Sequence, residues 1–230
     1  MTQGNKVRQL LLVGATGLVG GEVIARGMGR EGLQILALAR REIDFPQGAQ
    51  MEALLAPPEQ WASAIARTRP DVFVCALGTT WRKSGQSEEA FRAVDNDLVL
   101  ASARAAHEAG ARHGIFVSAA GADAHSKNFY LGVKGKVDEE LGRIGFDRLD
   151  ILRPGLLRGA RSADRRVKEK LAILASPLTD LALHGRFRAF RSISAATVAQ
   201  AILALAQEKA RGRFIHENEG IHRAARRLGD

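Results

Sequence analysis

The sequence predicts an α/β fold in which helices cover both faces of a doubly wound parallel sheet, giving three layers. Short apolar runs alternate with longer segments of helical periodicity, as expected for strands joined by helical crossovers. The first apolar run also leads directly into a glycine-rich turn and a helix. With 230 residues, 46% of them hydrophobic, the chain is predicted to form one domain over residues 1–230. Residues 156–230 are expected to include a small elaboration on the substrate side.

Three glycines follow the first predicted strand, residues 7–13, at the point where a helix over residues 18–28 begins. Gly14, Gly17 and Gly20 have the spacing G-x-x-G-x-x-G. In a dinucleotide-binding fold such glycines permit a tight turn, a close backbone approach to a pyrophosphate, and close packing of helix on strand. Free amides and the positive helix dipole favour a phosphate there. We therefore predict a Rossmann-type cofactor site that includes Gly14, Thr16, Gly17, Leu18, Val19 and Gly20.

The second predicted strand, residues 34–39, ends at Arg40 and Arg41. In NAD-binding proteins of this fold, an acidic residue about twenty positions after the glycines holds the ribose 2′-hydroxyl. Arg40 occupies that position here, and a guanidinium suits a 2′-phosphate. The pattern favours NADP(H) over NAD(H). The alternative is that Glu42 is the acidic residue and the arginines are merely exposed.

The remaining elements follow in alternation. A weak strand is predicted at 51–56, a helix up to residue 67, and strands at 72–76, 115–117 and 150–153. A long helix is predicted at 88–109. The fourth strand ends at Leu77, Gly78 and Thr79, a small polar turn where ligands bind in open α/β sheets, although a plain glycine turn fits the spacing equally well. Beyond residue 159, we predict helices at 162–175 and 195–210, a strand at 213–216 and a short terminal helix.

Tyr130 and Lys134 are four residues apart near the start of a predicted helix and so share one face. Tyr130 is the only tyrosine in the chain. A nearby ammonium stabilises a phenolate and makes tyrosine a better acid/base catalyst at neutral pH. Ser118, at the end of the preceding strand, is placed to hydrogen-bond the same substrate oxygen. We predict that these three residues are catalytic, against the alternative of an amphipathic helix with a half-buried tyrosine and a surface lysine.

The residues from Gly14 to Gly20, the turn at Leu77, and the Ser118, Tyr130 and Lys134 set resemble the atypical short-chain dehydrogenase/reductases. The stretches 117–123, 128–135 and 153–157 are similar, more narrowly, to the Tat-interacting-protein oxidoreductases. The resemblance implies bound NADPH, Tyr130 as acid/base, Lys134 on the nicotinamide ribose and Ser118 orienting the substrate. It also places next to the nicotinamide a short segment formed by Pro154, Gly155, Leu156 and Leu157.

The sequence departs from the family pattern at several positions. Leu55 stands where relatives often have an aspartate near the adenine, and Ala119 replaces a second serine. Classical members carry a catalytic asparagine on the long helix, where Asn96 lies, but the narrower family does not require one. Asn96 is therefore not among the predicted catalytic residues.

Composition limits the other classes of function. The formal charge is +9, and seven basic residues lie between positions 153 and 170, yet no nucleic-acid-binding motif accompanies them. Nucleic-acid binding is therefore not expected, although Arg158, Arg161 and Arg165 are candidates to bind an anionic group. The six histidines lack metal-ligand spacing, so no metal is predicted. No membrane span or signal peptide is evident, and the lone Cys75 lies in a strand-like run. These features predict a cytoplasmic protein. The sequence leaves open whether it is a monomer or a homodimer.

The favoured function is an NADPH-dependent oxidoreductase that acts on a small carbonyl or alcohol substrate. One alternative is an NADPH-sensing regulatory protein without turnover. Another is an enzyme like the nucleotide-sugar epimerases and dehydratases, for which the C-terminal part is short.

Overall fold

The computed structural model describes residues 7–45, 47–49, 51–82, 84–159 and 185–228. Seven parallel strands form the central sheet, in the order β3-β2-β1-β4-β5-β6-β9. They are β1 (Arg8–Val13), β2 (Leu33–Ala39), β3 (Glu52–Leu55), β4 (Val72–Cys75), β5 (His113–Val117), β6 (Arg148–Arg153) and β9 (Gly212–Glu217). The predicted doubly wound parallel sheet is confirmed.

Alternating apolar residues in the strands supply both faces of this sheet, because successive side chains of a strand point to opposite sides. Leu10 and Leu12 of β1 pack on one face with helices α1 (Leu18–Gly27), α6 (Ala195–Leu205) and α7 (Asn218–Arg226). Leu11 and Val13 pack on the other face with α2 (Trp61–Thr68), α4 (Val99–Glu108) and α5 (Phe129–Ile144). The helices α6 and α7 and strand β9, which fall within the predicted C-terminal elaboration, pack against or pair with the central sheet.

The long helix predicted over residues 88–109 contains a wider segment. It begins as α3 (Glu88–Arg92), with the Ser87 side chain accepting a hydrogen bond from the amide of Ala90. A π-helical stretch, Ala93–Leu98, separates α3 from α4. A π-helix adds a residue to each turn and is often found at functional sites, where it changes which side chains point inward. Here it turns Asp95 into the protein interior.

Two differences from the predicted elements lie in the C-terminal part. Strands β7 (Leu157–Arg158) and β8 (Ile193–Ser194) pair in parallel, and two residues are too few to show a hydrophobic pattern. Helix α6 begins after the predicted cap, Ser194, but ends at Leu205 instead of continuing to residue 210. The chain has to leave the helix early because Gly212 pairs with Arg148 at the start of β9. The helix predicted at 162–175 lies outside the described residues.

Candidate active site

The glycine turn between β1 and α1 has no room for larger residues. Gly14 has a φ of +85°, and a Cβ atom there would lie 2.5 Å from the backbone carbonyl of Ala76. A Cβ atom on Gly20 would lie 2.2 Å from the carbonyl oxygen of Gly14. Helix α1 therefore packs against the turn that precedes it, as a Rossmann phosphate-binding turn requires.

The N-terminus of α1 is open to a ligand. Its N-cap residue is Gly17, which has no side chain to accept a hydrogen bond from the first helical amides. The backbone of Thr16, Leu18 and Val19 surrounds this end, and Thr16 is exposed. Uncapped amides with a positive helix dipole attract an anion, so the residues present fit the pyrophosphate of a dinucleotide.

The other predicted cofactor segments lie at the same edge of the sheet, the one formed by the carboxyl ends of the parallel strands. Arg40 and Arg41 are exposed and follow β2, which pairs with β1. The segment Leu77, Gly78 and Thr79 follows β4 on the other side of β1. Strand order thus reverses at β1, which is where open α/β sheets bind ligands.

The chain after β6 returns to this edge. The amide of Ala120 donates to the carbonyl of Pro154 at 2.9 Å, which joins the end of β6 to the end of β5. A Cβ atom on Gly159 would lie 2.9 Å from the Leu18 side chain at the start of α1. The structure therefore brings Gly155, Leu156 and Leu157 to the edge that holds the glycine turn. That these residues contact a cofactor stays a prediction.

Helix α5 presents Tyr130 and Lys134 very differently. The Asn128 side chain caps the helix by accepting from the amide of Leu131 at 3.1 Å. Tyr130 is 39% exposed, whereas Lys134 is only 6% exposed. The alternative interpretation, an amphipathic helix with a surface lysine, is therefore wrong about Lys134, because protein encloses this side chain.

Lys134 has an ionic partner that the sequence did not reveal. Its Nζ atom lies 2.7 Å from Oδ1 of Asp95, which is fully buried in the π-helical stretch. The other oxygen of Asp95 accepts a hydrogen bond from the amide of Thr79 at 2.7 Å. Asn96, the neighbour considered in the sequence, instead donates to Asp97. The sequence does not indicate which of the consecutive polar residues Asp95, Asn96 and Asp97 faces inward, because their orientation depends on the π-helical geometry.

These contacts set the ionisation of the site. Burial disfavours the charged lysine, but Asp95 and Tyr130 outweigh it and raise the pKa of Lys134, so the ammonium form persists. Desolvation raises the pKa of Tyr130; the positive charge of Lys134 opposes this rise, and Asp95 adds to it. Tyr130 is therefore a protonated hydroxyl near neutral pH, suited to donate a proton.

Ser118 lies on the inner side of the site. Its side chain is buried and its Oγ atom makes no hydrogen bond to Tyr130, but Ser118 lies close enough to Asp138 to oppose the rise in the pKa of that carboxyl. It lines a small internal cavity together with Lys134, Asp138 and Cys75. The sequence predicted a substrate-orienting hydroxyl, and that role stays a prediction.

Two further groups border this cavity. Asp138, one turn after Lys134, is buried and pairs with Arg153 of β6 at 2.8 Å. Burial raises the pKa of Asp138. Burial also raises the pKa of the Cys75 thiol to about 12, so Cys75 is a neutral core residue and not a nucleophile.

Aromatic rings form a connected group that reaches Tyr130. The rings of Trp81 and Phe129 have centroids 5.6 Å apart, and Phe91 contacts both Phe129 and Tyr130. Trp81 is 44% exposed. Phe91 is fully buried and contacts Tyr130 from the protein interior, and the guanidinium of Arg92 lies 4.9 Å from the centroid of the Phe129 ring.

The basic segment predicted to bind an anion is only partly described. Arg153 belongs to the buried pair with Asp138, and Arg158 is exposed with its Nη2 atom near the carbonyl oxygen of Ser192. Arg161 and Arg165 lie outside the described residues. Among the residues that the structure describes, no three metal-ligating side chains cluster, and no helix is long and apolar enough to span a membrane.

Comparison with known proteins agrees with this geometry. The sequence pattern of a family described as NAD(P)H-binding matches residues 14–209. The mitochondrial protein fmp52 of Aspergillus niger is 34% identical over 161 residues, covering 67% of this chain and 68% of its own. The corresponding protein of Eremothecium gossypii is 32% identical over 216 residues, covering 91% of this chain and 94% of its own.

A solved structure shares the fold at low sequence identity. The UDP-glucose 4-epimerase of Thermotoga maritima superposes with a TM-score of 0.66 at 14% identity, covering 90% of this chain and 75% of its own. The predicted similarity to short-chain dehydrogenase/reductases is thus confirmed. The expected cytoplasmic location is contradicted, because the curated relatives are named as mitochondrial proteins. Composition and charge do not distinguish these compartments, which explains the error.

Proposed function

Because the chain belongs to the NAD(P)H-binding family, we propose that it is an NADPH-dependent reductase of small carbonyl compounds. The observation that carries the proposal is the pair formed by a partly exposed Tyr130 and a buried, charged Lys134 on one face of α5. This pair lies in a fold whose glycine turn fits a dinucleotide.

NADPH, when bound, supplies a hydride to the carbonyl carbon. Tyr130 donates the balancing proton to the carbonyl oxygen: its O–H bond breaks, a new O–H bond forms on the substrate, and a tyrosinate remains. The Lys134 ammonium offsets the charge of that tyrosinate until solvent returns a proton.

Replacing Tyr130 with Phe tests the chemical step. The variant keeps the aromatic ring but removes the proton, so we expect turnover to fall by two orders of magnitude or more. NADPH binding, measured by calorimetry, should remain. The assay follows NADPH oxidation with a panel of small aldehydes and ketones. Equal turnover in the wild-type protein and the Phe variant would contradict the proposal.

Replacing Arg40 with Asp tests the preference for NADPH. If its guanidinium meets the 2′-phosphate, affinity for NADPH should fall about tenfold or more, while affinity for NADH changes little. Arg26→Asp is the matched control, because it makes the same change of charge at a position away from the predicted cofactor site. Arg26 lies in the last turn of α1, where it pairs with Glu22. An equal loss for both cofactors would count against the assignment.

The fold similarity to an epimerase favours a second candidate, a nucleotide-sugar epimerase. Such an enzyme would use the same tyrosine, but its bound cofactor would be neither oxidised nor reduced over a complete turnover. Conversion of a UDP-sugar without net change in cofactor absorbance would support this candidate over the reductase.

A further inference from the structure

Asp95 combines complete burial with two short contacts to the candidate site. One carboxylate oxygen lies 2.7 Å from Nζ of Lys134 on α5, and the other accepts from the amide of Thr79 after β4, also at 2.7 Å. Its side chain is fully inaccessible. Taking a carboxylate out of water is costly unless it is paired, and the two contacts offset that cost.

We infer that Asp95 is a positioning residue for the proposed reduction, one that fixes Lys134 behind Tyr130 and largely compensates its charge. Thr79 belongs to the turn predicted to contact the cofactor, so the same carboxylate joins the cofactor edge of the sheet to the acid/base helix. The inference rests on the proposed function, in which Tyr130 is the proton donor.

Besides the tyrosine, three ionisable side chains of the described residues lie near the Lys134 ammonium. Lys134 faces Asp95 from the π-helical stretch and Cys75 from β4, and Asp138 lies one turn later on α5. Asp138 is itself neutralised by Arg153 of β6. The Cys75 thiol is uncharged. Asp95 is therefore the anion that balances Lys134.

This balance affects how readily Tyr130 loses its proton. An uncompensated ammonium beside a phenol promotes the phenolate, which would act as a base in alcohol oxidation. Burial is the main cause that raises the pKa of Tyr130, and Asp95 adds to that rise against the attraction of Lys134, so Tyr130 keeps its proton. The site is thus arranged for donation to a carbonyl oxygen.

The sole tyrosine of the chain allows a direct test without substrate or cofactor. Protein labelled with ¹³C at the tyrosine Cζ atom gives one signal whose shift reports ionisation of Tyr130 alone. Asp95→Asn removes the negative charge and keeps one oxygen that accepts from the Thr79 amide, while its NH2 group replaces the oxygen that faces Lys134. In this variant we expect the Tyr130 pKa to fall by about 1 unit or more. In Lys134→Met, which leaves Asp95 unpaired, we expect it to rise. The basic limb of the pH–rate profile should move toward acid in Asp95→Asn.

Asp97→Asn is the matched control, because Asp97 lies on the same π-helical stretch but is exposed. It should leave the Tyr130 titration at the wild-type position. A Tyr130 pKa that stays fixed or rises in Asp95→Asn, or shifts alike in Asp95→Asn and Lys134→Met, would overturn the inference. Because the titration needs no turnover, an inactive wild-type protein would refute the proposed function and leave this test intact.

Discussion

At the scale of single residues, the glycine turn shows how sequence spacing translates into contact distances. Gly20 lies so close to Gly14 that an added Cβ atom would collide with its carbonyl oxygen at 2.2 Å. Backbone cannot yield as a flexible side chain can, so α1 would have to move away from β1. The spacing of the three glycines alone predicts this close approach.

Gly20→Ala should therefore weaken NADPH binding tenfold or more and lower the melting temperature, as measured by calorimetry and thermal unfolding. Gly21→Ala is the control, because its nearest non-local atom would be 3.8 Å away. There the loss of a helical glycine should stabilise the protein by about 0.5–1 kcal/mol and leave binding unchanged. Equal effects of both substitutions would mean that the close approach of α1 to the turn is unimportant.

Other residues could not be located from spacing alone. Tyr130 and Lys134 were predicted on one helical face, and the structure places them in one electrostatic group with Asp95. Asp95 itself was missed, because a buried carboxylate in a helix looks like any surface carboxylate until its partner is known. Only the fold brings Asp95, 39 positions before Lys134 in the chain, within 2.7 Å of it.

At the scale of elements, the N-terminus of α5 determines how Tyr130 is held. The Asn128 side chain is its cap and accepts from the amide of Leu131. Loss of an N-cap leaves an amide without a partner and costs about 1 kcal/mol. Helix existence and type were predictable from apolar spacing here, whereas the π-helical interruption of the preceding helix was not, since its cause is tertiary.

Asn128→Ala should lower the free energy of unfolding by about 1 kcal/mol in urea denaturation. Asn128→Asp should restore most of that loss, because the carboxylate accepts the same hydrogen bond and favours the helix dipole. Since Tyr130 lies in the first turn, Asn128→Ala should also reduce turnover more than it reduces NADPH affinity. If Asn128→Asp were as destabilising as Asn128→Ala, capping would not explain the effect.

At the scale of the whole molecule, alternation of strands and helices was sufficient to predict the layered parallel sheet. It could not reveal the polar cluster buried between β5, β6 and β9. Asp150 of β6 lies 2.7 Å from both His113 and His216, and Arg148 completes the group at 2.6 Å. These residues are far apart in the sequence and meet only because their strands are neighbours.

This cluster predicts loss of stability in acid. Burial, with the charges of Arg148 and Arg8, outweighs Asp150 and lowers the pKa of His113, so the unfolded chain binds a proton that the folded chain resists. Stability should consequently decline as pH falls below the ordinary histidine pKa of about 6.5. Asp150, despite its burial, has a pKa well below its usual range because His113, His216 and Arg148 donate to it. Its contribution is present above the ordinary carboxyl pKa of about 3.9 and is lost as pH falls below that value.

Urea denaturation of the wild-type protein and His113→Asn at pH 7 and pH 5 separates the histidine part of this effect. Because asparagine does not titrate, the difference in unfolding free energy between the two pH values should be smaller in His113→Asn, even if that variant is less stable overall. His125→Asn, at an exposed position outside the cluster, should retain the wild-type difference. A pH dependence in His113→Asn equal to that of the wild-type protein would show that acid acts elsewhere in the fold, since His113 is the histidine that the central sheet encloses most completely among the described residues.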